Sequence, residues 1–372
     1  MADIKTNILG INFSNPIFTA AGPTAANYEM LKRAKDGGAG GLVVKTISVE
    51  PAKVPIPNIS NFNPNSLLNA ELWSEVGYKE FIEQELKRIR TLGMPVIASV
   101  GYSPQDLEIL GKELNGSGLI DAVEFSIHYI DKDANNLRKT AVALKNNIDV
   151  PVFAKFSPGV SDLPLAISLL DDVVDGYIAI NSVGPALDFN IETRKPYLGS
   201  IDGRGWLSGR AILPIGLHFV AAIHKLSNKP IIGVGGVKSA EDVVKYLMVG
   251  ASAVQVCSLS ILKGQTVYGK LAKDLEKWMD AHNYPNIESL IGIFDPEEEK
   301  KQHYLYHGPQ VYPTVDYEKC DNCGACVKIC VHIALEIKDS LTLEKEICVR
   351  CGICTQVCPT HALEMKEVIE HR

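Results

Sequence analysis

Eight of the nine cysteines in this 372-residue chain lie between positions 320 and 358, and their spacing is its strongest chemical signal. Cys320, Cys323, Cys326 and Cys330 follow C-x2-C-x2-C-x3-C; Cys348, Cys351, Cys354 and Cys358 repeat it, with Pro359 closing the second copy. A tight C-x2-C-x2-C run supplies three thiolates to a cubane, and the fourth is drawn from the other run. That logic predicts two crossed quartets, each holding a [4Fe-4S] cluster: Cys320, Cys323 and Cys326 with Cys358, and Cys348, Cys351 and Cys354 with Cys330. Zinc competes for such ligands, but its sites use two separated pairs rather than crossed quartets. A disulfide framework belongs to a secreted context, and the opening MADIKTNILG lacks a basic segment leading into an apolar core. One-electron carriers need a group that also handles electron pairs, and a flavin is the expected converter.

The rest of the chain must position that converter. With 46% apolar and 22% charged residues the composition is that of a folded globular protein, and a net charge of −7 supplies no positive field for nucleic acid. No apolar run approaches the roughly 18 residues of a membrane span, so a soluble, cytoplasmic protein is expected. From residue 15 to about 260, continuous apolar runs alternate with amphipathic stretches, the pattern of parallel strands buried on both faces. The runs are 15–20, 41–46, 95–100, 121–127, 150–156, 176–181, 230–236 and 252–257. Eight such units predict an α/β fold, a (β/α)8 TIM barrel, ahead of a six-stranded doubly wound sheet. The expected domains are the barrel over 1–298, a linker over 299–315 and a two-[4Fe-4S] ferredoxin-like domain over 316–372.

Active sites of such barrels lie at the C-terminal strand ends. Here those positions hold Ala21 and Gly22, Lys45 and Thr46, Lys155, Asn181 and Ser182, Gly235 and Gly236, and Cys257 and Ser258. The loops after strands seven and eight are the expected phosphate site. Cys257, set among apolar neighbours, reads as a buried barrel thiol beside that site. The absence of G-x-G-x-x-G after a strand argues that NAD(P)H is not used unaided.

Over residues 5–270 these pieces resemble the dihydroorotate dehydrogenase family. The stretch from Trp206 to Ala211 with Pro214, the segment Gly233–Val237 and the segment Gly250–Val256 look like that family's FMN-binding segments. The order of barrel and cluster domain, with Asn69-Ala70-Glu71-Leu72-Trp73-Ser74-Glu75, is closer still to the dihydropyrimidine dehydrogenases. The tail resembles bacterial two-cluster ferredoxins, with Val331 where proline is common. The resemblance implies that Ala21 and Gly22 underlie an FMN ring, Lys45 and Thr46 line it, and Lys155 contacts it near N1. Ser208, Gly209, Gly235, Gly236, Cys257 and Ser258 would complete the cofactor site, with Asn181 at its border. Asn69, Glu71, Ser126, Asn181 and Ser182 would face substrate, and Trp73 would stack on it or close the pocket.

The family's catalytic loop reads E-x-N-x-S-C-P or S-S-P, whereas this chain has Glu124-Phe125-Ser126-Ile127-His128-Tyr129-Ile130. Ser126 replaces the substrate-holding Asn, and Tyr129 replaces the proton-transferring residue. An ordinary tyrosine, with a pKa of about 10, is protonated at neutral pH and suits an acid rather than a base. The leading expectation is therefore reduction of an activated C=C bond in a small cyclic, pyrimidine-like substrate. The flavin gives hydride to one carbon, and Tyr129, or failing that His128, protonates its neighbour. Electrons would arrive through the clusters from an NAD(P)H-dependent flavoprotein subunit or a ferredoxin. The tail's ten acidic against seven basic residues over 316–372 would favour a basic docking face. The alternatives are dihydroorotate-type oxidation with electrons leaving through the clusters, and an electron-relay subunit with a non-catalytic barrel. A homo- or hetero-oligomer is expected.

Overall fold

A computed structural model describes residues 1–127, 134–294 and 311–367. The chain forms two compact units, Met1–Phe294 and Asp295–Arg372. In the first, eight parallel strands run in chain order: β1 (Ile17–Thr19), β2 (Leu42–Val43), β3 (Val96–Val100), β4 (Ala122–Ser126), β5 (Val152–Phe156), β6 (Gly176–Ala179), β7 (Ile231–Val234) and β8 (Ala253–Val256). Neighbours pair in sequence order, β8 pairs with β1, and a bridge from Phe18 to Gly41 closes the ring beside β2. This is the expected (β/α)8 barrel, with helices such as Pro104–Leu114, Leu213–Leu226 and Ala240–Met248 around it.

Strand periodicity decides what fills the barrel. Val96, Ala98 and Val100 of β3, Val123 and Phe125 of β4, and Val152, Ala154 and Phe156 of β5 share a core with the helices. The alternate residues Val43, Ile97, Ala122, Phe153, Ile178, Ile232 and Ala253 form a separate interior layer. Ile8 and Phe13, from the antiparallel pair Thr6–Ile8 and Ile11–Phe13, join that layer, and the Phe13 and Phe18 rings lie 4.3 Å apart. Two residues beyond Ala122, Phe153 and Ala253 on the same strand faces come Glu124, Lys155 and Gln255. The period of two therefore turns three polar side chains inward.

Two excursions between barrel strands add a four-stranded antiparallel sheet that the strand reading above does not contain. Its order is Val183–Ala186, Gly205–Gly209, Ser66–Asn69, Ile59–Asn63, with Trp206 opposite Asn69 and Ser208 opposite Leu67. Strand β2 is also shorter than its apolar run, because the Lys45 N–H turns away to the Ala25 carbonyl.

In the second unit each C-x2-C-x2-C loop enters a short helix, Ala325–Ile329 or Ile353–Gln356, through a glycine at positive φ, Gly324 at 74° and Gly352 at 76°. The stretch read as linker needs correction at its end. Val311–Val315 pairs antiparallel with Leu363–Glu367, and Pro313 is tolerated because a two-stranded ribbon consists of edges. Residues 299–310, and the expected boundary at 298, lie outside the described residues. Among the described residues no helix is long and apolar enough to cross a membrane.

Candidate active site

One cleft at the C-terminal strand ends gathers residues from all parts of the barrel. It is lined by all sixteen barrel candidates the structure describes: Ala21, Gly22, Lys45, Thr46, Asn69, Glu71, Ser126, Lys155, Asn181, Ser182, Ser208, Gly209, Gly235, Gly236, Cys257 and Ser258. His128 and Tyr129 lie outside the described residues. Trp73 packs edge-on against Tyr102, a cleft residue, at 5.1 Å and donates its indole N–H to the Glu50 carbonyl at 2.7 Å.

At the floor, Lys155 Nζ donates to Glu124 Oε1 at 3.0 Å and to Gln255 Oε1 at 2.9 Å, while Gln255 Nε2 donates to Glu124 Oε2 at 2.6 Å. Glu124 is 0% exposed, Gln255 1% and Lys155 6%. Sequence reading gave Glu124 and Gln255 no role; the signal was present, since each is a polar residue with an ionisable or amide side chain on the inward face of an otherwise apolar strand segment. On the wall, the buried Lys45 pairs with Glu71, which also accepts from Asn58 Nδ2. Asn181 Nδ2 donates to Ser126 Oγ at 3.3 Å, and Asn69 Nδ2 donates to the Trp206 carbonyl at 3.0 Å. The upper sheet thus holds Asn69 over the barrel mouth, and Thr46 is tied to Ser99 at 2.9 Å.

The opposite end suits a phosphate. Gly235 and Gly236 adopt φ of 114° and 77°, and a Cβ on Gly236 would stand 2.5 Å from Leu213 Cβ. Such a backbone is open to glycine alone and brings peptide N–H groups to the surface of the cleft. The N–H groups of Gly235, Gly236 and Val237 have no backbone acceptor among the described residues. Ser258 Oγ donates to Ser208 Oγ at 2.9 Å, joining the eighth strand end to the upper sheet. Between the two ends, a Cβ on Gly22 would meet Cys257 Sγ at 2.4 Å, so the backbone lies flat against the thiol. Cys257, expected to be buried, is half-buried and lines the cleft, and its desolvated surroundings push the thiol up to about 11, against the weaker pull of Lys45 and Lys155. A polar cradle, a smooth middle and a cation fit the phosphate, ring and electron-rich edge of a flavin nucleotide.

In the second unit the cysteines separate around two small cavities. One is lined by Cys320, Cys323, Cys326 and Cys358, the other by Cys330, Cys348, Cys351 and Cys354. The crossing arises because each fourth cysteine follows the short helix of its own motif and is carried to the other half. Ala362 N–H donates to Cys358 Sγ and Ala334 N–H to Cys330 Sγ, both at 3.2 Å, repeating one geometry in the two halves.

The family model for dihydroorotate dehydrogenase matches residues 3–279, and that for a 4Fe-4S dicluster domain matches residues 319–362. The catalytic subunit of dihydroorotate dehydrogenase B (NAD(+)) from Thermoplasma acidophilum is 33% identical over 304 residues, 79% of this chain and 99% of its own length. Its counterpart from Pyrococcus furiosus is 33% identical over 302 residues, 78% and 98% of the two chains. That from Methanocaldococcus jannaschii is 32% identical over 312 residues, 78% and 97%. The chain belongs to the dihydroorotate dehydrogenase family and carries, over residues 319–362, a 4Fe-4S dicluster domain.

Proposed function

We propose that this chain is an FMN- and iron–sulfur-dependent oxidoreductase of the dihydroorotate type. It removes a hydride from one carbon and a proton from its neighbour in a small cyclic amide, leaving a C=C bond. The two electrons pass out singly through two [4Fe-4S] clusters to an electron-transfer partner, a flavoprotein subunit or a ferredoxin. The observation that carries the reading is the single cleft joining the glycine cradle after β7 to the Lys155 ammonium. Its support for oxidation comes from relatives named dihydroorotate dehydrogenase B catalytic subunits, matched over nearly their whole length. Oxidation therefore replaces the reduction favoured on sequence as the leading reading.

A bound flavin supplies the conversion between a hydride step and single-electron transfer. The chain's own residues do the rest. Gly235, Gly236 and Val237 would hold the phosphate, with Ser208 and Ser258 beside them. Ala21, Gly22 and Cys257 would support the ring, and Lys155 would offer it a cation. Asn69, Asn181 and Ser182 present donors and acceptors to a cyclic amide, and the paired Glu71 and Lys45 fix the polarity of that wall.

Ser126 stands in the place of the substrate-holding Asn and already accepts from Asn181, which argues that the ring bound is not simply dihydroorotate or uracil, so reduction of another carbonyl-conjugated ring stands as a second reading. A hydroxyl cannot pair an amide edge twice, and an edge left unpaired costs about 1–3 kcal/mol. The test is anaerobic purification with quantitation of iron, sulfide and released flavin, then addition of dihydroorotate and a one-electron acceptor of higher potential than the dihydroorotate couple. Bleaching of the flavin with acceptor reduction is the expected result. A flavin untouched by dihydroorotate but, once reduced by dithionite, reoxidised by uracil, thymine, orotate or a cyclic enone overturns the oxidative reading for the reductive one. Reduced flavin untouched by all of them leaves a relay subunit.

A further inference from the structure

The ring formed by Glu124, Lys155 and Gln255 does more than bury a charge safely. An ammonium carries three N–H donors. Two are taken by Glu124 and Gln255, and the third has no acceptor among the described residues, while Lys155 itself lines the cleft. Each partner is held in turn by the other through the 2.6 Å bond from Gln255 to Glu124. The three residues come from β4, β5 and β8, so a change in any one strand is felt at Nζ.

We infer that Glu124 and Gln255 are positioning residues that aim the free N–H of Lys155 and set the charge it presents to whatever ring occupies the cleft. The inference rests on the flavin reading above. A carboxylate 3.0 Å from Nζ turns a bare buried cation into a nearly neutral pair. A ring beside that pair gains far less from accepting negative charge than it would beside Lys155 alone. Glu124 therefore lowers the flavin potential that Lys155 by itself would raise. Gln255 is indifferent in charge but completes the geometry, since its amide offers an acceptor to Lys155 and a donor to Glu124 at once.

Glu124→Gln keeps the shape and removes the negative charge. The double swap Glu124→Gln with Gln255→Glu moves the carboxylate one place round the ring and restores the charge. A merely structural role predicts that two substitutions are worse than one; the electrostatic role predicts the reverse. A charge about 4–6 Å away shifts a neighbouring equilibrium by about one to three decades, and Glu124 reaches the cleft through the Lys155 ammonium it touches at 3.0 Å. The flavin potential of each protein is measured by dye-equilibrated reduction, and the sulfite dissociation constant by bleaching of flavin absorbance. Glu124→Gln should raise the potential and tighten sulfite about ten-fold or more, and the double swap should return to within about three-fold of the wild type. No shift in Glu124→Gln, or a double swap further from wild type than the single variant, overturns the inference. Should the single variant fail to fold, the double swap alone decides, and its departure from the wild-type potential overturns the inference equally. Released flavin is quantified first, so that a wild type purifying without flavin removes the flavin reading itself and is not confused with either outcome.

Discussion

Replacing Lys155 by Met tests whether the interior ring is a true buried ion pair rather than a charge that reaches water. Methionine keeps most of the stem volume, so little of the effect comes from a cavity. What remains is a carboxylate, Glu124, that is 0% exposed and keeps the Gln255 amide as a partner. Removing one member of a buried pair costs about 3–5 kcal/mol, whereas an exposed pair is worth roughly 0–1. An unfolding entropy of about 2.1 cal/mol/K per residue, applied to the unit Met1–Phe294, gives about 0.6 kcal/mol/K, so the melting temperature should fall by roughly 5–8 °C. Adding Glu124→Gln removes the stranded charge and should restore most of that loss, leaving about 2–3 °C from imperfect hydrogen bonding. Calorimetry of the barrel transition in flavin-free protein is the assay, because lost cofactor binding then does not enter. A single variant melting within about 2 °C of wild type, or a double variant melting below the single one, refutes the burial argument.

Gly236→Ala forces a side chain into a φ of 77° and a 2.5 Å overlap with Leu213, and should cost at least about 1–2 kcal/mol and release flavin on gel filtration. Gly159→Ala, with nothing within 4 Å, should do neither, and equal losses in both would refute the cradle. The crossed quartets predict that Cys330→Ser with Cys348→Ser halves the iron content, whereas Cys330→Ser with Cys320→Ser lowers it much further; the opposite ranking in iron and sulfide assays would restore uncrossed ligation. Alkylation of Cys257 in cluster-loaded protein should accelerate as pH approaches about 11 rather than near the ordinary value of 9.0, and half-maximal labelling below pH 9 counts against the desolvation that raises it. Because the folded state holds that thiol protonated above its unfolded value, its contribution to stability is complete below pH 9 and is lost as pH rises from 9 towards 11.

The sequence made legible what depends on local pattern. Eight apolar runs marked eight strands, because a parallel strand covered on both faces has no polar alternation to confuse it. Residues just past those runs fell into one cleft because a closed parallel barrel brings all its strand ends to one rim. The cysteine quartets were legible for a covalent reason: spacing within each loop fixes which sulfurs face one cavity. Long-range pairing was not legible. Asn69 and Trp206 stand 137 positions apart yet face each other across the upper sheet, and nothing local to either segment announces its partner. The short strand Val311–Val315 was hidden by Pro313, which ordinarily argues against a strand and is harmless on a two-stranded ribbon. Glu124 stood out as a polar residue on an inward strand face, but its partners did not, since the pairing requires β4, β5 and β8 to be superposed.

On the proposed reading the substrate couple and the external electron partner set the direction of net flow, and the flavin potential sets how far the flavin is reduced at a given ratio of dihydroorotate to orotate. Oxidation of a CH–CH pair needs a flavin willing to accept charge, which Lys155 favours and Glu124 opposes through its 3.0 Å contact. The same carboxylate that balances the buried ammonium thus favours the oxidised over the reduced flavin. Removing its charge with Glu124→Gln should let dihydroorotate reduce a larger fraction of the flavin at equilibrium, and should slow reoxidation of the reduced protein by orotate. A titration of flavin absorbance against the ratio of dihydroorotate to orotate reads this directly. With removal of the carboxylate that pairs the Lys155 ammonium worth about ten-fold, the ratio giving half-reduction should fall by about that factor. An unchanged ratio would mean that the flavin does not feel the ring, and the placement of Lys155 at its edge would have to be abandoned.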